Sequence, residues 1–179
     1  MLQINEKTSK ISDIDFVTSP NFDDRPKSAS IDTIIIHCIS LPEGAYNNNN
    51  VIDFFQNKLD LSVDDSFKSL ENLKVSPHLF IRRNGQIIQM VPFNKRAWHA
   101  GKSSYNGRCN FNDFSIGIEL EGTINSKYSN DQYQSLNDVI FSLKTLYTDI
   151  INDNILGHSD IAPDRKTDPG EFFDWTKIK

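Results

Sequence analysis

The architecture of the chain follows from residues 31–40, IDTIIIHCIS. Ile34, Ile35 and Ile36 are consecutive, so a strand built from them is apolar on both faces; β-branched side chains favour that extended state, and the run is too short for a helix. A strand buried on both sides needs a layer against each, which means a sheet with helices packed on it. The run ends in His37, where a core strand should pass into a loop.

The flanking segments supply the rest of the sheet. SIGIEL (115–120) reads as a second strand, with Ile116, Ile118 and Leu120 on one face and Gly117, Glu119 and Glu121 on the other. SPHLFIRRNGQIIQMVP (76–92) reads as a hairpin, because Asn84-Gly85 readily takes the positive φ angles of a tight turn. From Ser129 a capping box with Gln132 opens a helix whose stripe of Tyr133, Leu136, Ile140, Leu143 and Tyr147 is core. Val51, Phe55 and Leu59 predict a shorter helix over 51–59, and the asparagine tract at 47–50 reads as a solvated spacer. NDNILGHSD (152–160) returns to strand or loop, and Phe172, Phe173 and Trp175 are expected to dock the C-terminal segment. No repeat or linker interrupts this order. The expected class is α/β (mixed α+β), a single domain with a central mixed β-sheet and helices packed on it.

A length of 179 residues suits one domain. Apolar content of 37% and twelve phenylalanines indicate a globular chain, while a net charge of −5 without a Lys/Arg block argues against nucleic acid or an anionic membrane as partner. The N-terminal MLQINEKTSKISDIDFV does not read as a secretory signal, and no apolar run is long enough to span a bilayer. Cys38 and Cys109 make neither a disulfide framework nor a metal knuckle. A reducing cytoplasm is the expected compartment.

Chemistry concentrates on four histidines, His37, His78, His99 and His158. A histidine is most often a hydrogen-bonded structural group, and His78 in SPHLF is read so. His37 stands apart because open α/β sheets bind ligands at strand ends. His158 stands apart because it lies in GHSDIAPDRKTDPG (157–170), after a glycine that permits close backbone approach and before Asp160, Asp164, Lys166 and Asp168. Imidazoles with a carboxylate are a zinc set, and a catalytic zinc commonly takes three protein ligands and keeps a place for water. Spacing alone does not choose among the three aspartates. An extended KTD segment would point Lys166 and Asp168 the same way, setting an ammonium where it can stabilise an oxyanion. The chain has no H-E-x-x-H and no G-x-S-x-G. Cys38 is a poor nucleophile partner for His37, since neighbours along a strand face opposite sides.

SPNFDDRP, IIIHCISLPEG, FIRRNGQIIQMVPFNKRAWHAGKSSYNGR, NDFSIGIELEG and GHSDIAPDRKTDPG, in that order, resemble the zinc N-acetylmuramoyl-L-alanine amidases of bacterial cell-wall recycling, within the superfamily of peptidoglycan recognition proteins. The resemblance runs from Ser19 to Trp175, making residues 1–18 an N-terminal extension of the same unit and 19–179 the zinc amidase domain. It implies a mixed sheet flanked by helices with Zn2+ in a cleft at one side. His37, His158 and Asp168 are then the metal ligands, and Glu119 and Lys166 the catalytic pair. The implied substrate is an anhydro-muropeptide cut between the lactyl group of 1,6-anhydro-N-acetylmuramic acid and L-alanine, with no obligate protein partner.

Beside a cation, Glu119 needs no large pKa shift to act as base, and Glu121 is read as solvated or as a support to the metal site. The resemblance places Trp98, His99 and Ala100 along the binding cleft, although Trp98 reads equally well as core. Three positions depart from the enterobacterial pattern: Cys38 replaces an asparagine, Asn110 replaces an arginine suited to a stem-peptide carboxylate, and Lys74 replaces another arginine. Arg108 is the candidate to replace the cation lost at Asn110. Rival readings are a peptidoglycan-binding module, which would lack a complete ligand set, and a lysin acting on intact wall.

Overall fold

The computed structural model, which describes residues 2–178, builds the isoleucine run into the interior of a six-stranded sheet. Met1 and Lys179, the outer ends of the expected extension and domain, lie outside the described residues. The strands are β1 (Asp15–Phe16), β2 (Thr33–Ile39), β3 (Leu79–Ile81), β4 (Ile87–Gln89), β5 (Ser115–Glu121) and β6 (Ile155–Gly157), in the spatial order β6-β2-β5-β3-β4-β1. β6, β2, β5 and β3 run parallel, β4 is antiparallel to β3, and β1 runs parallel to β4. The N-terminal segment thus supplies an edge strand of the main sheet.

Helices are α1 (Asn50–Phe55), α2 (Asn130–Leu146) and α3 (His158–Ile161). One sheet face, carrying Ile34, Ile36, Ile116, Ile118 and Leu120, packs under Leu136, Val139, Ile140 and Leu143 of α2. On the other, Ile35 meets Ala100, Phe111 and Ile161, while Phe80 meets Phe54, Phe55, Phe67 and Met90. His37 and Glu119 are paired in register on this second face, away from α2. Two layers therefore cover the isoleucine run.

The capping box forms as the sequence requires: Ser129 Oγ accepts from the Gln132 N–H, and Gln132 reaches back to the Ser129 N–H. Four local expectations change. The hairpin loop has three residues, 83–85, between the Arg82 and Gln86 pair, and of Asn84-Gly85 only Gly85 takes a positive φ, 81°. The short helix stops at Phe55 because Asn57 turns left-handed at φ 59°, and the Lys58 and Asn57 N–H groups close back on the Asp53 and Phe54 carbonyls. The asparagine tract is no spacer. Asn48 and Asn50 donate to the Leu41 carbonyl, and the Asn48 carbonyl and the Asn49 side chain accept from Arg82. At the C-terminal end Phe173 is buried and Trp175 packs on it, but Phe172 is exposed.

Candidate active site

β2 and β6 lie side by side, pairing Ile36 with Gly157, so His37 and His158 leave adjacent strand ends. The segment carrying Asp168 closes against them: the Ser159 N–H donates to the Asp168 carbonyl, and a Cβ on Gly157 would stand 2.9 Å from Pro169 Cδ. That bare backbone lets the carboxylate reach the imidazoles. Nδ1 of His37 is 2.9 Å from Nδ1 of His158, and Asp168 Oδ2 is 3.2 Å from the first and 3.1 Å from the second.

Of the three aspartates left open by spacing, the structure brings Asp168 to the histidines. Asp160 instead accepts from the Gly157 N–H at 2.7 Å, and Asp164 is exposed. The triangle fits a small cation. Ligands held tetrahedrally about 2.0 Å from a zinc ion stand about 3.3 Å apart, close to the three edges seen here. The donor chemistry agrees, since two imidazole nitrogens and a carboxylate oxygen turned toward one point repel one another unless a cation or a proton lies between them. His37, His158 and Asp168 form a group able to hold a metal ion.

Protonation follows burial and partners. Burial lowers His37 to about 4, with the Asp168 hydrogen bond opposing and the His158 charge assisting. Burial alone would raise Asp168, but hydrogen bonds from His158 and His37 outweigh it and hold the carboxyl well below its usual range. Glu119 behaves oppositely. Its Oε2 is buried without a hydrogen-bond partner, and burial followed by the Asp168 charge raises it well above the ordinary value, with Lys166 pulling the other way. Desolvation exceeds what one solvated ammonium returns, so the carboxyl is shifted even though its expected role as a base beside a cation does not require it. Lys166 is exposed, yet its charge bears on both His37 and Glu119.

The other candidates are dispersed. His99, expected along the cleft, is buried behind His37, its Nδ1 3.0 Å from His37 Nε2. Ala100 is fully buried, and its carbonyl accepts from Arg165 and lies 3.3 Å from His158 Nε2. Trp98 is half-buried, with its side chain beside the Asp23 carboxyl, which it helps to hold below its ordinary range after Arg96. Lys74 lines a groove with Phe54, Leu59 and Leu70. The Arg108 guanidinium is engaged with Asp32 at 2.9 Å and lies over the Phe114 ring. Asn110 is exposed in a left-handed turn and lines a cavity of about 530 Å³ with Lys102 and Arg165.

Glu121 is not solvated; it is buried and accepts from the Asn47 and Arg83 N–H groups, organising the loops after β2 and β3. Cys38 lies on the other side of β2 from His37, its thiol pushed up to about 12 by burial. His78 is structural, accepting from the Gly117 N–H at 3.0 Å and standing against the Lys95 carbonyl. Sequence reasoning missed Ser115, Asn112 and Arg165. Asn112 accepts from the His99 and Ala100 N–H groups, and Arg165 ties Ala100 and Lys102 to the loop that carries Lys166. No spacing signal marks them, because Asn112 and Arg165 act through backbone groups, and Ser115 through the His99 ring, that are distant in sequence.

Comparison with known proteins supplies what geometry cannot. The family described as N-acetylmuramoyl-L-alanine amidase matches residues 27–171. The 1,6-anhydro-N-acetylmuramyl-L-alanine amidase AmpD of Escherichia coli (strain K12) is 48% identical over 163 residues, 91% of this chain and 88% of that protein. A crystal structure of a Se-Met AmpD derivative superposes with a TM-score of 0.92 at 45% identity, covering 96% of this chain and 95% of that one. The amidase AmiD of E. coli, in complex with the substrate anhydro-N-acetylmuramic acid-L-Ala-D-gamma-Glu-L-Lys, matches with a TM-score of 0.60 at 29% identity, over 88% of this chain and 64% of that one.

Proposed function

The chain belongs to the N-acetylmuramoyl-L-alanine amidase family, and from that premise we propose that it hydrolyses the amide between 1,6-anhydro-N-acetylmuramic acid and L-alanine in anhydro-muropeptides released during cell-wall recycling. Similarity along nearly the whole length of an anhydro-specific amidase carries this reading. The compartment we assign is the cytoplasm, where such fragments rather than intact wall would be the substrate.

We assign Zn2+ to His37, His158 and Asp168, whose donor atoms match its size and chemistry. When bound, zinc polarises a carbonyl and makes water a stronger acid. Glu119, with an unpartnered buried oxygen, is the group we assign to take the proton of the attacking water and return it to the leaving L-alanine nitrogen. Lys166 is assigned to oppose the negative charge that develops on the lactyl carbonyl oxygen. His158 is held by the Ala100 carbonyl, so its orientation does not depend on substrate.

The test is incubation with purified anhydro-muropeptide and, separately, with intact sacculi, followed by mass analysis. Free stem peptide and anhydro-sugar are expected from the first and little release from the second. A chelator should abolish cleavage and added zinc restore it. Cleavage that survives chelation would overturn the metal mechanism, and efficient release from sacculi would replace recycling with wall lysis.

A further inference from the structure

The imidazole of His99 is buried and is not one of the three groups able to hold the metal, yet each of its nitrogens has a partner. Nδ1 lies 3.0 Å from Nε2 of His37, and Nε2 lies 3.2 Å from Ser115 Oγ. Ser115 also contacts the Phe111 carbonyl oxygen, which only accepts. The single hydroxyl proton therefore points at Phe111, and the Ser115 oxygen faces His99 as an acceptor. Nε2 of His99 must then carry the hydrogen. A buried ring with no carboxylate on either nitrogen is neutral and has one N–H, so Nδ1 of His99 is a lone pair. His37 Nε2 therefore donates to His99, and with a metal bound its Nδ1 presents a lone pair on the side of His158 and Asp168.

We propose that His99 is a positioning residue for the metal site, fixing through its Nδ1 the tautomer and ring orientation in which His37 presents Nδ1 as a ligand. His158 reaches the same state by a shorter route, donating from Nε2 to the Ala100 carbonyl. Partners of this kind on a ligand's second nitrogen hold the ring and raise its basicity. A separate observation supports the assignment. A Cβ built on Gly117 would stand 2.3 Å from Cγ of His99, so the ring lies directly on the bare backbone of β5. The glycine of SIGIEL is the seat of that ring, two residues after the serine that orients it. The His37 and His99 rings meet edge to face, 5.1 Å apart at 85°, which aims one ring's nitrogen at the other.

The inference rests on the zinc reading of the site, and the test separates the two. Zinc content of the wild-type protein is measured first; failure to hold zinc would overturn both. In the zinc-loaded protein, long-range 15N–1H NMR should find His99 and His37 each protonated at Nε2. A proton on Nδ1 of His99 would overturn the relay while leaving the zinc reading intact. By chelator competition, His99→Phe should weaken zinc binding about 10- to 100-fold, whereas His99→Asn, which returns an oxygen near the Nδ1 position, should stay within about threefold of wild type. Gly117→Ala should weaken zinc binding without altering any polar side chain. Wild-type affinity in His99→Phe would overturn the proposal, and the NMR result decides should that variant not fold.

Discussion

Asp168 and Glu119 are two buried carboxyls in one site whose proton affinities are driven apart. Asp168 has two imidazole partners and stays ionised; Glu119 has no partner on Oε2, and burial raises it. Such a separation distinguishes a fixed ligand from a proton carrier. Glu119→Gln keeps the shape and removes the titratable oxygen, so turnover should fall about 10²- to 10⁴-fold, with zinc affinity by chelator competition close to wild type. Lys166→Ala should lower turnover about 10²- to 10³-fold and likewise keep zinc; wild-type rates in single-turnover assays would remove Lys166 from the chemistry. His37 was legible because a histidine closing an isoleucine run has no packing reason to be there. Asp168 was not legible from spacing, since Asp160 and Asp164 are the same residue type nearby, and what separates them is that Asp160 is spent on the Gly157 N–H. His99 was visible as a residue but not as a support for His37, because its contacts run through space to Ser115 and His37, and Gly117 is its only mark in the sequence.

Elements defined by period or by a local cap were readable; those ended by an asparagine were not. The β-branched run of β2 and the capping box of α2 each satisfy several local rules together, so nothing competes with them. Asparagine, by contrast, caps, turns or solvates with little difference in local energy. Asn57 ends α1, and the tract before it is pinned by the Leu41 carbonyl and Arg82, partners that lie outside any sequence window. The cap of α2 offers a test of whether the two sheet faces act independently. Ser129→Ala removes the acceptor for the Gln132 N–H and should cost about 1 kcal/mol of stability in urea unfolding. Zinc affinity should not change, because α2 packs on the face opposite His37 and Glu119. Weakened zinc binding in that variant would mean that the helix reaches the site through the sheet.

At the scale of the whole molecule, several histidines lie neutral in the interior, and this sets how the stability of the chelated protein responds to acid. Burial lowers His37 to about 4 and puts His78 and His99 well below the ordinary value of 6.5. Below about pH 6.5 the unfolded chain takes up protons on these three that the folded chain refuses, so stability is full above that pH and is lost on acidification. Glu119 acts with the opposite sign. Raised above its ordinary 4.5, it binds a proton in the folded state where the unfolded chain has released it, so its contribution falls as pH rises through that window. Each group supplies at most about 1.4 kcal/mol per pH unit, and three histidines outweigh one carboxyl. Protonating His78 would also place a charge beside the half-buried Arg25, whose Nη2 is 3.0 Å away. The chelated protein should therefore melt at least about 5 °C lower at about pH 5 than at about pH 7, by calorimetry in matched ionic strength. Chelation matters here, because protons also compete with zinc for imidazoles and would produce the same trend by metal loss. A melting temperature that is flat or rises on acidification would mean that water reaches these rings in the folded state, and that the interior behind His37 is open rather than packed.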